Sequence, residues 1–135
     1  MKKGIFIWGL LLFTCSVLSS CKNCGTEKTI NGVQYFYTSN VTESELDKLA
    51  DVLKDFGLEV TDEDEGKTVQ LNRTGNTYEI RAVIKKGLEM DNEYCDAIKT
   101  SAKYISSTIF DGANVEFHLC DEHLETIRVI LMSNY

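Results

Sequence analysis

Thr68-Val69-Gln70-Leu71-Asn72-Arg73-Thr74-Gly75-Asn76-Thr77-Tyr78-Glu79-Ile80-Arg81-Ala82-Val83-Ile84-Lys85 is the stretch on which the fold turns. Val69 and Leu71 alternate with polar residues in its first half. Tyr78, Ile80, Ala82 and Ile84 alternate in its second. Strand side chains point to opposite faces in turn, so each half has one apolar and one polar face. Thr74-Gly75-Asn76 between them supplies a hairpin turn. On both sides of this hairpin the apolar period changes from two to that of a helix. Upstream, Leu46, Leu49, Val52, Leu53 and Phe56 follow helical spacing. Thr42-x-x-Glu45 is a capping box, which satisfies free N–H groups at a helix start, and Val41 and Leu46 occupy the hydrophobic-staple positions. Gly57 stands where a left-handed cap is needed and Leu58 packs back on the last turn. This places a helix at 43–56. Downstream, Tyr94, Ile98, Ala102, Ile105 and Ile109 form a second apolar face over about 92–110. Asp91 caps it and Asp111-Gly112 ends it.

Further out lie more strands. Val33–Thr38 (VQYFYT) is rich in aromatic residues, and Asn31-Gly32 before it suits a two-residue type I′ turn and a short hairpin. Leu58–Thr61 begins a strand ahead of the acidic turn 62–66. Val115, Phe117 and Leu119 point one way from a later strand, and Glu116, His118 and Cys120 the other. Residues 126–132 are close to continuously apolar, the pattern of a strand buried on both faces. The order is β-α-β-β-α-β-β, with a short hairpin strand in front. The expected class is α+β, with two helices on one face of an antiparallel sheet. This element order resembles the ferredoxin-like sandwich with an added C-terminal strand, a resemblance of order that carries no function.

The 135 residues support one domain. Fourteen Lys and Arg against twenty-one Asp and Glu give −7, which argues against a general nucleic-acid binder. The chain opens Met1-Lys2-Lys3-Gly4, and Gly4 to Leu18 is almost wholly apolar. That run is shorter than the roughly 20 residues of a stable membrane span. A basic start, a short apolar centre and a small-residue exit describe a secretory signal peptide. The exit, Leu18-Ser19-Ser20-Cys21, resembles the lipobox of bacterial lipoproteins. The resemblance implies cleavage before Cys21, a diacylglycerol thioether on its sulfur and acylation of the new N-terminus, the last commonly with palmitate. Lys22 follows; the absence of Asp there points to the outer membrane, facing the periplasm. The expected organisation is a signal peptide at 1–20, a lipidated tether at 21–28 and one domain at 29–135. Removing residues 1–20 takes Lys2 and Lys3 and leaves twelve bases against twenty-one acids, a charge of −9. Such a body is repelled by anionic headgroups and stands off the membrane on its tether.

Lipidation consumes one of the thiols. Cys21-Lys22-Asn23-Cys24 has the spacing of a redox motif, but a thioether at Cys21 has no thiol to offer. Cys24, Cys95 and Cys120 remain. Either all stay reduced or one pair bridges: Cys95 with Cys120, or Cys24 with either. Side-chain parity weighs against the Cys95–Cys120 pair, because Cys120 shares a strand face with Glu116 and His118 while Cys95 leans towards its helix's inner face. His118, Cys120, Asp121 and His123 cluster within six residues and are chemically sound metal ligands, although their spacing fits no standard site. The acidic run from Asp62 fails the EF-hand pattern, since Gly66 is its fifth position and Arg73 its twelfth.

Neither a nucleophile elbow nor a P-loop nor a zinc-protease motif is present, so no enzyme is expected and no cofactor is implied. The expectation is a lipid-anchored, non-enzymatic binding or accessory module of the cell envelope, with an envelope protein as partner. The alternative is a metal- or thiol-handling protein built on the histidine cluster. For the first, the sheet face opposite the helices is the contact surface, with Gln34, Phe36, Thr38, Glu116 and His118 on it by parity.

Overall fold

A computed structural model describes residues 25–56 and 67–132. Cys21, Cys24, the lipobox, Gly57, Leu58 and the strand and acidic turn expected within 58–66 lie outside these residues. Among the described residues six strands and two α-helices follow in order: β1 Thr26–Ile30, β2 Val33–Tyr37, α1 Glu43–Asp55, β3 Thr68–Thr74, β4 Thr77–Val83, α2 Asn92–Ile109, β5 Asn114–Cys120 and β6 Thr126–Leu131. A single 3-10 turn, Leu88–Met90, leads into α2. No helix of the described residues is long and apolar enough to cross a membrane.

The α+β class and the order of elements are those read from the sequence. The strands lie side by side in chain order, from β1 at one edge to β6 at the other. The expected all-antiparallel pairing is corrected to a mixed sheet, because β2 pairs parallel with β3 and β4 parallel with β5. Each helix carries the chain back to the end where its strand began, so the next strand runs the same way. In the sheet β3 lies directly beside β2 and β5 directly beside β4, so each crossover joins parallel neighbours. The hairpins β1–β2, β3–β4 and β5–β6 are antiparallel.

Local chemistry fixes the ends of the elements. Asn31 and Gly32 both take positive φ, 53° and 78°, which closes the β1–β2 hairpin as the Asn-Gly pair requires. The hairpin draws Thr26–Lys28, read as tether, into the sheet. Gly25 begins the described fold at φ +90°, and a Cβ there would lie 2.3 Å from the Tyr37 carbonyl oxygen. Only glycine allows that approach. At the start of α1 the Glu45 N–H donates to Thr42 Oγ1 (3.1 Å), while the Thr42 N–H donates to Glu45 Oε1 (2.9 Å). The capping box is therefore complete. Asp91 caps α2 by accepting from the Tyr94 N–H at 3.2 Å.

The core lies between the helix layer and one sheet face. Val33, Tyr35, Val69, Leu71, Ile80, Val115, Phe117 and Leu119 line that face, and Leu46, Leu49, Leu53, Ala102 and Ile105 close over it. Both helices cover the same side. Lys28, the register partner of Tyr35, reaches Glu43 and Asp47 of α1 at 2.7 and 2.8 Å. Arg128, the register partner of Leu119, reaches Cys95 of α2 at 3.5 Å. The Tyr78 and Phe110 rings stack at 3.7 Å between centroids, joining β4 to the end of α2. Strand β6 departs from expectation. Of its six residues only Ile130 is buried, because it is an edge strand whose one inward apolar side chain faces the helices.

Candidate binding face

The register builds the opposite sheet face row by row. Phe36, Gln70, Arg81, His118 and Val129 stand in one row across β2 to β6. Asn72, Glu79, Glu116 and Leu131 form the next, and the Thr38 hydroxyl donates to Asn72 Oδ1 at 2.7 Å. Gln34, Thr68, Val83 and Cys120 lie on its other side. The five residues expected at a contact surface, Gln34, Phe36, Thr38, Glu116 and His118, thus share one face, but Phe36 is buried on it and the other four are only partly exposed. None of α1 or α2 packs on it, since both helices lie on the other side.

This face carries both charge signs at close quarters. Glu79 and Glu116 are direct cross-strand neighbours, an unfavourable pairing of like charges. Asn72 Nδ2 donates to Glu79 Oε2 at 3.3 Å and partly offsets it. Arg81 and His118 occupy the adjacent row, again as direct neighbours. Arg81 donates to the Leu124 carbonyl in the β5–β6 turn. His118 Nδ1 is within 3.1 Å of Thr126 Oγ1. Its Nε2 is buried and lies 3.6 Å from Glu116 Oε1, beyond hydrogen-bond reach. Hydrogen-bond donors and acceptors thus alternate between neighbouring rows of this face.

The ligand group expected from the sequence does not converge. Cys120 is fully buried and its Sγ donates to the His118 carbonyl at 3.3 Å. Asp121 accepts from the N–H groups of His123 (2.8 Å) and Glu125 (3.0 Å), so it ties the β5–β6 turn, and those bonds hold its carboxyl below the usual range. His123 is exposed beside Glu122. Among the described residues no group of three or more His, Cys, Asp and Glu side chains is placed to hold a metal ion. The Cys95–Cys120 bridge is likewise corrected: both thiols are free. Cys95 lies on the helix side, where its Sγ meets the Glu89 carbonyl at 3.6 Å and Arg128. Cys120 projects from the other side, so the sheet stands between the two sulfurs. Burial pushes the Cys120 thiol above its ordinary value, against the pull of Arg81 and Thr126.

Gln70, Asn72, Glu79 and Arg81 belong to the face and were not singled out in the sequence. Their signal was present, as they are the polar half of the alternation in the 68–85 hairpin. A separate recess of about 400 Å³ lies beside the β3–β4 turn, lined by Asn40, Arg73, Thr74 and Gly75. Its polar groups bond one another: Arg73 Nε donates to the Gly75 carbonyl at 2.8 Å, and Asn40 Nδ2 to the Arg73 carbonyl at 3.1 Å.

Fold and face together define an α+β domain with one helix-covered and one polar sheet surface. The chain belongs to the AF_1994_N family: residues 27–130 match the model of that family's N-terminal domain. It matches no curated protein. It matches no solved structure.

Proposed function

We propose that this chain is a lipid-anchored, non-enzymatic binding module of the bacterial cell envelope. Cys21 carries the anchor, in the outer membrane facing the periplasm, and the polar sheet face takes an envelope protein partner. The reading is carried by the lipobox-like Leu18-Ser19-Ser20-Cys21 behind a basic and apolar leader. Two or three acyl chains exceed what stable anchoring needs. It is supported on the folded side by the five contact residues meeting on one face.

Metabolic labelling with an alkynyl palmitate analogue tests the anchor. The wild-type chain takes the label and sediments with membranes, and Cys21→Ser loses both. An unlabelled wild type, or a Cys21→Ser chain that keeps the label, overturns it. In-cell cross-linking followed by recovery of the lipoprotein tests the face. A partner lost on Glu116→Lys with the fold intact supports it; a partner unaffected by open-face substitutions removes it.

A further inference from the structure

We propose that β6 is a self-recognition edge, pairing antiparallel with β6 of a second copy about a two-fold axis at Val129. Among the described residues β6 pairs with β5 on one side and with no strand on the other. Ile127, Val129 and Leu131 are 47%, 41% and 49% exposed, three large apolar side chains at alternate positions. From Arg128 to Leu131 an edge of this kind, open among the described residues, is a template for another strand.

The edge is open in hydrogen bonding as well as in surface. The Ile84 N–H donates to the Cys120 carbonyl at 3.1 Å, so the Cys120 peptide group faces β4. Alternation along β5 turns the peptide groups of Phe117 and Leu119 towards β6. Their register partners there are Ile130 and Arg128. Ile130 and Arg128 therefore spend their peptide groups inward, and Val129 and Leu131 direct theirs outward. The irregularity in the β5–β6 pairing falls at Leu119/Cys120, where Ile127 is the extra residue of β6, and leaves Arg128 to Leu131 in regular register.

The second copy is the occupant that the charges and the register fit. β6 carries one charge, Arg128, and its guanidinium is turned to the helix side, donating to the Glu89 carbonyl at 2.6 Å. The opposite edge differs: β1 holds Glu27 and Lys28 within five residues, a guarded edge. A two-fold at Val129 sets Val129 against Val129, Ile127 against Leu131 twice, and Arg128 against Ile130. No like charges meet, and nearly the whole strand is used. Moving the axis to Arg128 would oppose two guanidinium groups; moving it to Ile130 would shorten the overlap. The Val129 axis also keeps both helix layers on one side and makes the two polar faces continuous. This pairing is independent of the anchor and of the partner proposed above.

Sedimentation velocity of the full chain in density-matched detergent tests it, across micromolar concentrations. The wild type is expected as a concentration-dependent dimer. Val129→Lys, which opposes two ammonium groups on the axis, is expected to weaken it at least about tenfold, because like charges directly opposite destabilise strand pairs. A wild type that stays monomeric throughout overturns the proposal, as does a dimer that Val129→Lys leaves intact. Should the lysine variant fail to fold, by circular dichroism, Val129→Cys decides with a short bismaleimide. A linked dimer from it, and none from Glu27→Cys, supports the pairing; equal yields, or capture of a different protein instead, refute it.

Discussion

Tyr35 shows how a single side chain couples the core to pH. It is buried on the helix side of β2, and desolvation, with a smaller contribution from Asp51, pushes its phenol up to about 12 from 10.0. The folded chain keeps this proton where the unfolded chain has begun to lose it. The contribution is therefore intact below about pH 10 and is lost as pH climbs through about 12. Urea unfolding at stepped pH is expected to show stability falling over that window, with a shallower slope for Tyr35→Phe. Cys120 reports on the polar side of the same sheet. Its buried thiol, raised above its ordinary value, stays protonated at neutral pH. Alkylation of Cys120 in the native chain is expected to be much slower than in the chain unfolded in urea, as followed by mass spectrometry of the labelled peptides.

At the scale of the element, α1 is held at its first turn by more than the capping box. Glu45 Oε1 accepts from Thr42, and Oε2 accepts from the Tyr78 hydroxyl at 2.5 Å. Burial would raise the Glu45 carboxyl, but Tyr78, Thr42 and the nearby Arg73 outweigh it and hold the group below its ordinary range. Thr42→Ala is expected to cost about 1 kcal/mol in denaturant unfolding, the usual loss for a removed N-cap. Glu45→Gln is expected to reduce the acid sensitivity of stability. A lowered carboxylate stabilises above its unfolded value and loses that contribution as pH falls through the folded one. The capping box was legible in the sequence because its donors and acceptors are three residues apart. The Tyr78 bond was not, because 33 residues separate its partners and only the sheet brings them together.

For the whole molecule, stability rests on one apolar layer shared by two helices and the inner strands. Ile80 is at its centre, fully buried on β4. Ile80→Ala is expected to cost about 2–5 kcal/mol, measured by urea unfolding, since it combines lost transfer energy with a cavity. The same arrangement predicts a gradient in amide exchange, with β3, β4 and β5 the slowest and the outer residues of β6 the fastest. Pairing between two copies would slow exchange at Val129 and Leu131 selectively.

The local sequence determined the elements of this protein, and the assembly of those elements decided the rest. Period-two and helical spacings, the capping box, Asn31-Gly32 and the 68–85 hairpin located both helices and the chief strands, because each signal acts between residues a few positions apart. Parity alone placed Glu116, His118 and Cys120 together, with Gln34 and Phe36 on the same face. Strand adjacency was decided elsewhere. Sequence spacing does not say whether the strand after a crossover helix lands beside its predecessor, and here it does so twice, making the sheet mixed. Nor does spacing distinguish an apolar strand in the middle of a sheet from one at its edge. Residues 126–132 read as interior, and β6 stands at the rim, since burial depends on what lies alongside a strand, and only the tertiary structure supplies the neighbour.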